Sequence, residues 1–193
     1  MKRLILVFFV LAKLANAMGE YFVEEFENNN NKWHLSKNSR EELLIKDGNY
    51  IIRNLDTESD LSVSTSSFFS DFFSIEYRLK PQEYKEEVLY GVFIELETKD
   101  KFYLILNGEN IAYFYEKEKD ISIIDKFEKF PYLSKDDYNH ITFIKDNDTF
   151  TFLINEIPTE KIWTIKDSKI KKMGIYLNSS STVLLDRYTE FSI

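Results

Sequence analysis

The chain has 193 residues, no cysteine and a formal net charge of −8 at pH 7. Without cysteine there can be no disulfide, thiol nucleophile or thiolate metal site. The acidic balance disfavours nucleic acid as a partner, because phosphate backbones are repelled.

The N-terminus reads Lys2-Arg3, an apolar run over residues 4–12, then Ala15-Asn16-Ala17. A basic start, about ten apolar residues and an A-x-A site predict a cleavable secretory signal peptide over 1–17. Lys13 ends the run well short of the roughly 20 apolar residues that span a bilayer. The expectation is one mature domain, 18–193, secreted or periplasmic, with no membrane insertion after cleavage.

Beyond the leader, aromatic residues make up 16% of the chain against five Gly and three Pro. Rings and β-branched side chains pack well on a pleated surface, so this composition favours strands. A first strand is predicted over 21–26, followed by the polar Asn28-Asn29-Asn30-Asn31 loop leading to Trp33. Strands 42–46 and 49–53 flank Asp47-Gly48, a pair that tolerates positive φ and predicts a hairpin. The Ser-rich stretch 56–70 is the weakest region to assign. In 73–80, Phe73, Ile75, Tyr77 and Leu79 alternate with Ser74, Glu76, Arg78 and Lys80, giving one buried and one wetted face that ends before Pro81. Segments 88–96, 102–106 and 111–115 are apolar on both faces, and Asn107-Gly108 is expected to join the last two. Strands 138–145 and 149–154 meet at Asp146-Asn147, with a further turn at Asn155-Glu156. Strands 170–177 and 182–193 close the chain. No amphipathic helix of three turns is evident. The prediction is an all-β, two-sheet antiparallel sandwich of about a dozen strands.

Four segments carry a family resemblance. They are Phe22-Val23-Glu24-Glu25-Phe26 with Asn31-Lys32-Trp33; Ile45-Lys46-Asp47-Gly48-Asn49-Tyr50; Asn139-His140-Ile141-Thr142-Phe143 with Phe152-Leu153-Ile154-Asn155-Glu156; and Met173-Gly174-Ile175-Tyr176 with Val183-Leu184-Leu185-Asp186-Arg187-Tyr188. In this order they resemble the concanavalin A-like (laminin G-like) jelly-roll superfamily, with Glu156 where such chains usually place Gly. The resemblance implies a jelly-roll sandwich. The superfamily spans lectins, adhesion modules and glycoside hydrolases, so the fold alone chooses none of them.

A glycosidase needs two carboxylates flanking the scissile bond. The laminarinase-type members resembled here carry Glu-x-Asp-x-x-Glu on one strand. The nearest candidate is Glu95-Leu96-Glu97, which lacks the Asp and turns away at Thr98-Lys99-Asp100. Glu24 and Glu25 are adjacent and point to opposite faces. Only His34 and His140 are present, too few for a histidine zinc site, and no Gly-x-Ser-x-Gly elbow supports a serine triad. Asp186, Asn178 and Asp146-Asn147-Asp148 offer oxygens to a calcium ion; no other cofactor is indicated. Asn147 and Asn178 head N-x-Ser/Thr acceptor patterns.

Sugars are held by aromatic faces with a few polar groups. Phe93, Glu95, Tyr103, Asn107, Tyr113 and Tyr115 are the candidate ligand-binding set, with core filling as the competing use of each ring. The register at the 98–101 turn decides which of them share a face. The leading expectation is an exported, non-catalytic, lectin-like domain binding carbohydrate on a concave sheet face. Alternatives are a laminin G-like module contacting an extracellular protein through loops 28–32 and 179–182, and a divergent glycoside hydrolase using Glu95 and Glu97.

Overall fold

Buried and wetted side chains alternate through most of the chain and build two antiparallel sheets. The computed structural model describes residues 20–66, 70–83, 85, 87–117, 120–123, 126–164 and 169–192. The signal peptide expected over 1–17 lies outside the described residues.

One sheet of nine strands has the order β14-β13-β12-β6-β16-β4-β3-β2. These are β14 (Ile157–Thr164), β13 (Thr149–Ile154), β12 (Asn139–Asp146), β6 (Phe72–Pro81), β16 (Thr182–Ser192), β4 (Asn49–Asn54), β3 (Glu41–Lys46) and β2 (Ser36–Lys37). The ninth, β1 (Glu20–Glu24), pairs with the second half of β16, while β4 pairs with its first half. The other sheet, of seven strands, has the order β10-β9-β8-β7-β15-β5. Its members are β10 (Asp120–Ile123), β9 (Asn110–Lys117), β8 (Lys101–Asn107), β7 (Tyr90–Leu96), β15 (Ile170–Leu177) and β5 (Leu61–Ser66), with β11 (Glu128–Lys129) also on β9. No helix occurs among the described residues.

The inner faces meet in one core. Phe73, Ile75, Tyr77 and Leu79 from β6, with Phe143, Phe152 and Tyr188, pack in one cluster with Val92, Ile94, Leu104, Leu106 and Ile175 from the other sheet. Each fully buried side chain of this size contributes about 1.5–3 kcal/mol. Two hydrogen bonds cross between the sheets, Thr65 Oγ1 with Tyr77 OH at 2.8 Å and Asn139 Nδ2 to Tyr90 OH at 3.1 Å. Near the start, Trp33 wedges among Phe26, Tyr50 and Tyr188. Its indole donates to Glu24 Oε2 at 3.0 Å, so this aromatic corner hangs on a buried carboxylate.

Hairpin geometry follows local chemistry. Asp47 and Gly48 both take positive φ (52° and 71°), as the expected tight turn requires. Asn155 and Glu156 do the same at 50° and 67°, although Glu carries a Cβ penalty there. The two-residue loops after β8 and β12 are Gly108-Glu109 and Asn147-Asp148, each one residue later than the sequence reading placed them.

Sixteen strands form among the described residues, where about a dozen were expected. β5 was hidden by its serines: Leu61, Val63 and Thr65 supply the inward alternation while serines occupy the outer face. β14 was hidden by Pro158, which the sheet accepts because β14 is an edge strand. Pro81, expected to lie beyond the strand, is the last residue of β6.

Candidate functional site

Alternation divides the side chains of β7, β8, β9 and β15 between the core and an outer face. Val92, Ile94, Leu104, Leu106, Tyr113, Met173 and Ile175 belong to the core. Their neighbours form two rows across the outer face. Gly174, Phe93, Tyr103 and Phe114 are successive cross-strand partners in one row. Lys172, Glu95, Lys101 and Glu116 are partners in the next.

The first row is an aromatic platform. Phe93 lies flush with the sheet at 2% exposure, its ring so close to Gly174 that a Cβ there would stand 2.8 Å from it. Tyr103 and Tyr176 are half-buried, with ring centroids 5.5 Å apart in an edge-on contact. Each tyrosine donates to a carboxylate: Tyr103 OH to Glu116 Oε2 at 2.6 Å, and Tyr176 OH to Asp60 Oδ2 at 2.7 Å. Burial, reinforced by those carboxylates, raises both hydroxyls well above their ordinary value, so both remain donors at any physiological pH. Glu116 Oε1 and Asp60 Oδ1 accept no bond among the described residues.

The second row is ionic. Glu95 is buried at 6% exposure. Its two oxygens accept from Lys171 Nζ at 3.0 Å and Lys172 Nζ at 3.1 Å. Burial works against the charged carboxylate, but the bonds from Lys171 and Lys172 outweigh it and hold Glu95 below the ordinary carboxylate value. Lys101 Nζ reaches Glu116 Oε2 at 3.3 Å.

Of the six residues expected to bind ligand, Phe93, Glu95 and Tyr103 come together here. Asn107 has the same parity but sits at the far end of β8, four residues and about 13 Å from Tyr103. Tyr113 and Tyr115 are corrections, because both point inward: Tyr113 is 5% exposed beside Trp163, and Tyr115 packs on Phe102 and donates to Asp100. The cause is register. Asn107 pairs with Asn110, so Phe114 and Glu116 oppose Tyr103 and Lys101. Tyr176, Asp60, Glu116, Lys101, Lys171 and Lys172 were not among the expected residues; Gly174 and Tyr176, alternating in 170–177, were the available signal.

Glu97 does not pair with Glu95, since β7 ends at Leu96 and a tight turn follows, closed by Lys99 at φ 72°. The residues considered for calcium do not form a site. The Asn178 amide is committed to Leu89, Ser181 and Glu87. Asp186 faces Arg78 at 3.3 Å, and Asn147 turns onto Asp146. No three His, Asp or Glu side chains converge among the described residues. Loop 28–32 is tied down through Asn29 to Trp33 and Asn31 to Glu24.

Two adjoining clefts of about 370 and 430 Å³ open on the opposite sheet and share Arg53 and Gln82. The larger has an aliphatic floor of Leu44, Ile51 and Leu184, the smaller is lined mostly by polar side chains, and Glu42 is paired with Lys37 and Arg53, Glu83 with Lys85. Neither presents an aromatic face.

Solved structures share this architecture. A lichenase (β-1,3-1,4-glucanase) derived from a mouse hindgut metagenome superimposes with a TM-score of 0.60 at 11% identity, covering 89% of this chain and 98% of its own. The fold is the concanavalin A-like jelly roll. A Bacillus licheniformis β-glucanase gives 0.63 at 10% identity over 92% and 100% of the two chains. A Bacillus subtilis protein of unknown function with a galectin-like fold gives 0.64 at 11% identity over 90% and 97%. No family model and no curated protein matches the chain. At such identities the likeness concerns the jelly roll alone.

Proposed function

We propose that the chain is an exported, non-catalytic jelly roll that binds carbohydrate on the outer face of its seven-stranded sheet. The observation that carries this is the pairing of half-exposed rings with uncommitted acceptors. Tyr103 and Tyr176 meet beside Phe93, while Glu116 and Asp60 each keep one oxygen free to take a sugar hydroxyl. Apolar ring faces with sparse, oriented polar groups are what a pyranose requires. The glucanase names borne by proteins of the same fold agree with a carbohydrate ligand. Export rests on the leader read at 1–17.

The electrostatics favour binding over hydrolysis. A glycosidase acid must hold a proton at working pH. Glu95 has an ammonium on each oxygen and is held ionised instead.

Glycan-array screening followed by calorimetry tests the proposal. Parent protein is expected to bind an oligosaccharide, and Tyr103→Ala or Tyr176→Ala to weaken it roughly ten- to hundredfold, the worth of one ring face. Failure of the parent to bind any glycan, or unchanged affinity in both variants, would overturn it. Release of reducing ends abolished by Glu95→Gln would establish the hydrolase instead.

A further inference from the structure

The lysine row beside the rings carries more positive charge than its own acids cancel. β15 has a register shift between Ile170 and Lys172 where it pairs with β7. In regular alternation Lys171 and Lys172 would point to opposite faces. The bulge brings both ammoniums to the one buried carboxylate of Glu95, one per oxygen, a re-aiming of side chains for which bulges are known. One lysine would neutralise Glu95; the second is surplus. Lys101 then balances Glu116 in the same row. In the adjoining turn Glu97 and Lys99 are exposed and offset each other, while Asp100 accepts from the inward-facing Tyr115. In a chain of net charge −8 the ionic row, three lysines against Glu95 and Glu116, thus carries one net positive charge, with Asp60 set apart from it at Tyr176.

The ammoniums also have donors to spare. Each carries three N–H groups, and Lys171 and Lys172 each spend one on Glu95. They remain wetted, with side chains 53% and 37% exposed. The ionic row lies two residues from the row of Phe93 and Tyr103, about 7 Å along the strands, with Tyr176 one row further on and leaning onto Tyr103. That is the offset of a charged substituent from the ring that bears it, plus one hydrogen bond.

We infer that the saccharide recognised on this face is anionic, its ring lying on Tyr103 and Tyr176 and its carboxylate or sulfate bonded by Lys171, Lys172 and Lys101. This rests on the carbohydrate reading above and narrows it to acidic glycans. Glu95 is the positioning residue that holds two lysines side by side, and it touches no ligand.

The test uses paired probes that differ only in charge: polygalacturonate and alginate oligomers against their methyl esters, and sulfated glycans against their desulfated forms, titrated calorimetrically into the full mature chain. Acidic forms are expected to bind about tenfold or more tighter than their masked partners, with affinity falling as salt rises. The uronate and sulfate arms identify which anion is bound. Lys171→Gln with Lys172→Gln should erase the preference, bringing acidic and masked glycans to equal affinity. Conservative Lys171→Arg should retain it, separating charge recognition from loss of fold. Equal binding of acidic and masked probes with Tyr103 dependence intact would overturn the anionic assignment and leave the platform standing. Binding of neither kind would overturn both.

Discussion

Gly174 is where fold and candidate site can be tested by one atom. A Cβ added there would stand 2.0 Å from the Val63 carbonyl oxygen and 2.8 Å from both the Phe93 ring and Ser64 Cα. A carbon approaches a carbonyl oxygen no closer than about 3.3 Å in ordinary contacts, so β5 must retreat by about 1.3 Å. Ladder hydrogen bonds of about 2.9 Å would then open past 4 Å. Losing about two of them at ~1 kcal/mol each, with about 1–3 kcal/mol for displacing Phe93, predicts that Gly174→Ala destabilises by about 3–5 kcal/mol. For a domain of this size that is a fall in melting temperature of roughly 10 °C. Gly48→Ala is the control: its φ is +71° but nothing lies within 4 Å of the added atom, so only left-handed strain of about 1 kcal/mol applies. Urea denaturation followed by the fluorescence of Trp33 and Trp163 measures both. A Gly174→Ala cost no larger than that of Gly48→Ala would refute the close approach of β5 and β15, and with it the seat of Phe93.

Glu156 sits exposed at φ 67° in a two-residue turn, so Glu156→Gly should relieve strain and stabilise by about 1 kcal/mol. A lower urea midpoint in the variant would count against that turn. Glu95 has a folded value below its unfolded one, so its ion pairs stabilise above the ordinary carboxylate value near 4.3 and are lost as pH falls through the folded value. Glu95→Gln is therefore expected to be less stable than the parent at pH 7, with the gap closing below about pH 4. Denaturation at pH 7, 5 and 3.5 checks the sign, and a gap that is constant or widens on acidification contradicts it.

What could be read from the sequence was whatever local chemistry dictates. Asp47-Gly48 forms its turn because both residues accept positive φ, and β6 alternates because one face is wet. The faces of β8 and β9 were not readable. Residues 111–115 are Ile-Ala-Tyr-Phe-Tyr, so either parity buries apolar surface, and only the Gly108-Glu109 loop sets Phe114 rather than Tyr113 beside Tyr103. Tyr113 and Tyr115 were accordingly kept in the ligand-binding set although both rings face inward. The bulge at Lys171 was equally invisible, since an unpaired residue leaves no mark on composition. β5 failed for a related reason: serine on the outer positions of an edge strand reads as a loop until Val63 is seen packed in the core.

The site's placement on strands bears on how it would bind. Its rings, carboxylates and lysines are held in register by the ladders of β15, β7, β8 and β9, with partners fixed by hydrogen bonds, so little ordering is required when a ligand arrives. A sheet face covers one side of a ligand where a closed pocket covers most of it, which limits the affinity available from a single ring. Four adjacent strands at about 4.8 Å spacing offer a track of about 14 Å, longer than one pyranose. Affinity should therefore grow with oligosaccharide length until the track from Tyr176 and Lys172 to Phe114 and Glu116 is filled, then level off. A monosaccharide that binds as tightly as its oligomers would contradict the sheet-face geometry and turn attention to the clefts around Arg53.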